Sequence, residues 1–290
     1  MPKGSAVISE DLAPLPESLI LKGERGKAIL IVADRRYRRP PAPRPKRETL
    51  ALSTVLNSFC VKPSGADELF GLLSEVDGAI AVSKMVKSDV ENYVNCPVKV
   101  VYPYADVERY AKVKADLKSK RAAFLGAHTF HKGVDLLLEA FKIVKLKEGS
   151  SELFVLSEGP LRSWVLSQKV EGVHAPGYVS KPEEFFAKAS IYVHPARYEP
   201  FGISVVEAMC AGLIPIVTHS VGAKELVEEL SSRLVVEPSR EEIAERIVEV
   251  LSMPLDEKLR LSSKAKALAS EFSKERSVES FVKAFNELTA

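Results

Sequence analysis

The sequence is poor in the residues that hold small stapled or metal-bound folds together. Its 290 residues include three cysteines, Cys60, Cys96 and Cys210, an odd number spaced far apart and without a C-x-x-C pair. That pattern suggests neither a disulfide framework nor a zinc site, and it fits a reducing cytoplasm. No apolar run approaches the roughly 20 residues that a spanning helix needs, and no N-terminal run resembles a signal peptide. Any membrane association is therefore expected to be peripheral. Glutamine occurs once, at Gln168, and asparagine four times, a bias seen in proteins of hot environments.

What is present is the balance of an ordinary soluble globular chain, with 46% apolar and 28% charged residues. The length suffices for one large domain or two moderate ones, each with its own core. The net charge is only +2, but "RRYRRPPAPRPKR" (Arg35 to Arg47) holds seven basic residues and no acid, so the rest sums to 2 − 7 = −5. Its prolines impose extended backbone and remove donors, which predicts an exposed loop. That loop is either a solvated linker or a patch for anionic partners, such as an anionic membrane or a phosphorylated group. Tyr37 is its single aromatic and no nucleic-acid-binding motif accompanies it, which argues against nucleic acid.

From "KAILIVAD" onward, short β-branched runs alternate with longer helical patterns, the mark of β-α units over a parallel sheet. Strands are expected at 28–33, 79–82, 98–102, 122–126, 152–156, 191–194, 214–217 and 233–236. Most are continuous apolar runs, as strands covered on both faces should be. In "GVDLLLEAFKIVKLK", Val134, Leu137, Leu138, Phe141 and Val144 fall on one helical face. Helices are expected from Arg240 on, broken near "SMPLDE" and "SEFSKE". A boundary near "YPYADVERY" divides a small N-terminal domain (1–105) from a larger C-terminal domain (106–271), with a last helix (272–290) that can pack back on the first.

Three stretches of the second domain carry chemistry, each after a strand, where open α/β sheets bind ligands. In "FLGAHTFHKGVD" a strand ends at Gly126 and Lys132-Gly133 opens a helix; helix amides and an ammonium together favour phosphate. In "LFVLSEGPLRSW", Gly159 permits a tight turn and Pro160 suits a first helical position, although a plain β-α turn has the same appearance. The third stretch, "EPFGISVVEAMCAGLIPIV", sets Glu199 in a loop, starts a helix at Phe201-Gly202-Ile203 and places Glu207 on it. Two carboxylates at one mouth can act as acid and base. Alternatively, one accepts sugar hydroxyls while helix amides and Lys132 hold a diphosphate. Glu207 alone would also suit the helix dipole.

Taken together, these residues resemble the retaining, GT-B-fold glycosyltransferases of family 4. The resemblance spans roughly Gly78 to Val236 and rests on "AIAVSK", Lys132-Gly133, "SEGP", "GYV" (177–179) and the E-x7-E element "EPFGISVVE". It implies an α/β, GT-B-like fold of two Rossmann-type domains facing a cleft. It also implies a nucleotide-diphosphate-sugar donor, retention of anomeric configuration, no metal and no resident cofactor. Glu199 would contact donor sugar hydroxyls beside the Phe201, Gly202 and Ile203 amides, Glu207 the ribose, Lys132 the leaving diphosphate, and Val179 the base through its backbone. No enzymic nucleophile is required, and domain closure would exclude water. The absence of a D-x-D pair agrees with metal independence.

The departures from the family pattern are also specific. Ala127 and His128 follow Gly126 where the family usually has an arginine. Either His128 partly replaces that phosphate contact, or it is a solvent-facing loop residue. The five histidines all lie at position 128 or beyond, so the family's N-terminal active-site histidine has no counterpart. The N-terminal domain reads as reduced, and the loop after "AILIVAD" is Arg/Pro-rich in place of glycine-rich. Two expectations follow. One is an active hexosyltransferase whose acceptor, lipid-linked or phosphorylated, is reached through the basic loop. The other is a donor-binding subunit that needs a partner chain, in a homo- or hetero-oligomer, for its acceptor half.

Overall fold

The computed structural model describes Ala6–Glu10, Lys27–Val32 and residues 76–290. The basic stretch Arg35 to Arg47 and Cys60 lie outside the described residues. Two compact units are present: Met1–Tyr102 with Val278–Ala290, and Pro103–Ser277.

In the first unit, β1 (Ala6–Glu10), β2 (Lys27–Val32), β3 (Gly78–Ala81) and β4 (Val98–Val100) form a parallel sheet in the order β1-β2-β3-β4. Strand alternation sorts its side chains to two faces. Leu30, Val32, Ala79 and Ala81 pack with Val86 and Val90 of α1 (Lys84–Val90), whose N-cap Ser83 accepts from the Val86 amide at 3.1 Å. Ile29 and Ile80 pack with Ala284 and Leu288 of the last helix, α10 (Lys274–Thr289). The strand at Ala6–Glu10 is not among the expected ones, because its apolar run is short and it pairs on one side only, with β2.

The second unit holds a six-stranded parallel sheet of β5 (Arg121–Leu125), β6 (Glu152–Leu156), β7 (Val173–Gly177), β8 (Ile191–His194), β9 (Ile214–Thr218) and β10 (Val235–Val236). Its helices are α2 (Val107–Tyr110), α3 (Val134–Lys147), α4 (Arg162–Ser167), α5 (Glu183–Phe186), α6 (Ile203–Ala211), α7 (Lys224–Leu230), α8 (Arg240–Ser252) and α9 (Leu255–Ala269). The five apolar positions of α3 named above are all fully buried, and β8 and β9 are buried along their whole length. The helical breaks fall at Pro254 and after Ala269.

Three expectations are corrected. β7 is not among the expected strands, since its sequence VHAPG alternates in exposure and contains Pro176. It is the sheet's edge, where a strand tolerates proline, and its register against β6 shifts between Phe154 and Leu156. Pro160 lies in the turn before α4, which starts at Arg162, so it does not take the first helical position. Of the run 233–236, only Val235–Val236 pairs as strand, because Ser232–Leu234 closes a 3-10 turn.

The strand order, β10-β9-β8-β5-β6-β7, decides where a ligand can sit. The chain enters at β5, winds outward through β6 and β7, then returns to the other side of β5 through β8, β9 and β10. Loops leaving the carboxyl ends of β5 and β8 therefore diverge, opening a crevice at this switch point. Among the described residues no helix is long and apolar enough to cross a membrane.

Candidate functional site

The loop after β5 carries Lys132 and ends at Gly133, which caps α3 with φ +71°. Glycine is required there twice over. Its backbone is left-handed, and a Cβ would stand 2.0 Å from the Pro195 carbonyl oxygen at the end of β8. Arg197 then clasps the same two loops. Its amide donates to the His131 carbonyl at 2.8 Å, and its guanidinium grips Asp135 with two bonds of 2.7 Å. The guanidinium also donates to the Phe130 carbonyl at 2.7 Å and stacks 3.7 Å above the Phe130 ring.

This clasp brings Lys132 onto Glu199, whose carboxylate it meets as an ion pair. Glu199 is only 8% exposed. Its amide donates to the Ser220 carbonyl at 3.0 Å and its carbonyl accepts from the Gly222 amide at 2.9 Å, so the loop after β9 fixes its backbone. Beneath the carboxylate, His194 Nε2 lies 3.1 Å from Oε2. The chain of contacts continues inward, from His194 Nδ1 to the Tyr192 hydroxyl at 3.2 Å. That hydroxyl lies 2.8 Å from Ser204 Oγ and 3.1 Å from the Leu125 carbonyl. Burial pushes the Glu199 carboxyl up, but its hydrogen bonds and electrostatic attraction to His194 and Lys132 outweigh it, holding the pKa at about 2.

Gly202, with φ +98°, caps α6, and Ile203 begins it, 42% exposed. The first amides of a helix have no intrahelical acceptor, and with the helix dipole they make an anion-binding end. Phe201 is buried and stacks with Phe272 at 5.8 Å, which anchors this end from below. Glu207, further along α6, has a separate set of partners. Burial pushes its carboxyl up from 4.5 to about 7; Arg109 opposes this, Asp106 adds to it, and a hydrogen bond with Tyr110 opposes it. Arg109 Nη2 reaches on to Glu183 at 2.6 Å and to the Ser180 carbonyl at 2.9 Å. It thus ties the neighbourhood of Glu207 to the turn after β7 that holds Val179.

Gly159 and His128 pair the loops after β6 and β5. A Cβ on Gly159 would stand 2.6 Å from the His128 amide nitrogen, and the same loops exchange His128 N–H to Glu158 O and Leu161 N–H to His128 O, both 2.9 Å. The His128 side chain is fully buried, which excludes the solvent-facing reading. Burial, helped by the charge of Arg162, lowers its pKa and keeps the imidazole neutral. Gly126 has a Phe124 ring carbon 3.0 Å from where a Cβ would be.

All the residues singled out in the sequence lie at carboxyl ends of β5 to β8 or on α6. The fold brings Lys132 and Glu199 into contact and gives Glu207 partners of its own. His194, Tyr192 and Ser204, and the pairs Arg197–Asp135 and Arg109–Glu183, were missed. A readable signal existed for His194, a polar residue ending a run otherwise fit for burial on both faces. For Arg109 none existed, since its partners lie far along the chain. Among the described residues no group of three or more His, Cys, Asp or Glu side chains is placed to hold a metal ion.

Residues 108–268 match the family model for glycosyl transferases group 1. An uncharacterized glycosyltransferase of Methanocaldococcus jannaschii is 28% identical over 221 residues, 73% of this chain and 60% of that protein. A GDP-mannose:cellobiosyl-diphosphopolyprenol alpha-mannosyltransferase of Xanthomonas campestris is 27% identical over 166 residues, 54% of this chain and 43% of that protein. The chain spans about half the length of the curated relatives it matches. Among solved structures, a mutant of S. aureus TarM in complex with fondaparinux, alpha-GlcNAc-glycerol and UDP is similar with a TM-score of 0.73 at 16% identity, over 98% of this chain and 56% of that one. At that identity the likeness is one of fold, and the fold is GT-B-like α/β.

Proposed function

Because this chain belongs to the glycosyl transferases group 1 family, we propose that it transfers a hexosyl group from a nucleotide-diphosphate sugar to an acceptor hydroxyl, with retention and without a metal. The observation that carries this reading is the Lys132–Glu199 pair, placed at the sheet's switch point beside the first turn of α6. As the bond between anomeric carbon and phosphate breaks, negative charge grows on the diphosphate and positive charge on the ring. Lys132 and the α6 amides stabilise the first. Glu199, held near a pKa of 2, stays ionised at neutral pH, so it accepts hydrogen bonds from sugar hydroxyls and does not serve as a general acid. Glu207 accepts from the ribose, and the Val179 amide meets the base.

The acceptor we propose is lipid-linked and anionic. The Xanthomonas relative bears a diphosphopolyprenol acceptor in its name, and the seven basic residues between Arg35 and Arg47 suit an anionic headgroup.

A thermal-shift panel of nucleotide sugars tests the donor half, since a ligand stabilises the fold it binds by the logarithm of its concentration over Kd. The donor that shifts the wild type should shift Lys132→Ala and Glu199→Ala much less, and transfer should fall about 100-fold or more in each. Unchanged transfer in both variants would remove these residues from the site.

A further inference from the structure

The Lys132–Glu199 pair poses a charge problem for the proposed reaction. Glu199 is almost fully buried, and Lys132 is its cationic partner. A diphosphate that draws the ammonium to itself strips a buried carboxylate of its counter-charge, a change costly in a low-dielectric site. The other side chain bonded to that carboxylate is His194, 1% exposed, with Nε2 3.1 Å from Oε2. An imidazole can hold one or two protons in the neutral range.

The network behind His194 has room for both states. With a neutral imidazole, Nε2–H donates to Glu199 and the Tyr192 hydroxyl donates to Nδ1 across 3.2 Å. With an imidazolium, Nδ1–H donates to the Tyr192 oxygen, and the hydroxyl proton turns to the Leu125 carbonyl at 3.1 Å. Ser204 Oγ, 2.8 Å away on the first turn of α6, is a further acceptor for the Tyr192 hydroxyl and, being a hydroxyl itself, can also donate to it. A tyrosine hydroxyl with two acceptors within reach is what such a change of proton count needs.

We propose that His194 takes up a proton from solvent when the donor's diphosphate draws Lys132 off Glu199, so that imidazolium replaces ammonium as the counter-charge. This rests on the reading that the diphosphate binds at Lys132. The charged and titratable groups around the imidazole are Glu199 and Lys132 from the flanking loops, Tyr192 from its own strand, and Glu207 of α6, which acts on Tyr192. From β5, the face packed on the imidazole is the Phe124 ring, 6.0 Å away between centroids. His194 is thereby a positioning residue that keeps Glu199 ionised and in place while Lys132 serves the leaving group.

The test is calorimetry with UDP-glucose, UDP-N-acetylglucosamine and GDP-mannose in buffers of low and high protonation enthalpy. These diphosphate diesters carry no group that titrates near neutrality, so proton exchange reports on the protein. Glu207, which titrates near 7, contributes alike to wild type and to His194→Gln, so their difference isolates His194. The wild type should take up as much as about one proton more per donor bound than His194→Gln, and its affinity should fall up to about tenfold per pH unit relative to the variant as pH rises. Equal proton counts with donor still binding would overturn the inference and leave the donor site standing. Failure of all three sugars to bind would overturn the donor site and the inference together. Nitrogen-15 NMR of labelled histidine in the wild type asks the same without a variant: one of the five imidazoles should become imidazolium on saturation with the donor, and if none does, the inference is wrong.

Discussion

Gly133 and Pro195 approach so closely that a Cβ on the glycine would stand 2.0 Å from the proline carbonyl oxygen. Through this contact the two loops that carry Lys132 and Glu199 meet at the backbone. Gly133→Ala is therefore expected to cost at least about 3 kcal/mol, combining a left-handed backbone with a clash against a carbonyl. Gly149→Ala, where nothing lies within 4 Å of the added atom, should change stability by less than about 0.5 kcal/mol. Urea unfolding of the two variants decides between a local packing requirement and a general intolerance of substitution.

Arg197 holds those loops with a bidentate pair to Asp135 and a stack on Phe130. Lysine keeps the charge but cannot reproduce two parallel bonds or the planar stack. Arg197→Lys should lose about 1–2 kcal/mol of stability. A double-mutant cycle with Asp135→Ala should show a coupling of about 1 kcal/mol or more, and near-zero coupling would mean the pair is incidental.

Glu207 makes stability depend on pH. Its folded carboxyl titrates at about 7 against an ordinary 4.5, so between those values the folded protein binds the proton that the unfolded chain has lost. Stability should accordingly fall as pH rises from about 4.5 to about 7 and level off above, by up to about 3 kcal/mol from this group. Glu207→Gln should flatten that slope. A variant as pH-dependent as the wild type over the same window would assign the effect elsewhere.

Arg109 bridges α2 to the Ser180 carbonyl and to Glu183, next to the turn bearing Val179. Its bond to Ser180 is exposed and its pair with Glu183 only part-buried, so Arg109→Ala should cost less than about 1 kcal/mol of stability. Its effect on the donor should be larger, raising KM about tenfold with kcat little changed, as expected when a loop that binds substrate and transition state alike is loosened. A fall in kcat with constant KM would contradict that role.

Much of the second unit was legible because its strands are continuous apolar runs and its helices keep one apolar face, patterns that burial on both sides of a parallel sheet imposes. β7 was not, because an edge strand with Pro176 and alternate residues in water lacks that signature. His128 shows the opposite failure. Its sequence left it open between a phosphate contact and a solvent-facing loop residue, and only the packing of the loops after β5 and β6 encloses its side chain.

The sequence by itself determined the local chemistry: a glycine before each of two helices, a lysine ahead of one, and glutamates eight residues apart around the other. These follow from backbone conformation and helix ends, which neighbouring residues decide. Only the tertiary structure decided that Lys132 faces Glu199, that His194 and Tyr192 stand behind it, and that Glu207 answers to Arg109 and Tyr110. The first two arise where β5 and β8 lie side by side despite their distance in the chain, and the third where α2 packs on α6. Burial pushes both carboxyls up; the partners of Glu199, His194 and Lys132, reverse this and hold it ionised with a pKa near 2, while Glu207 is left at about 7.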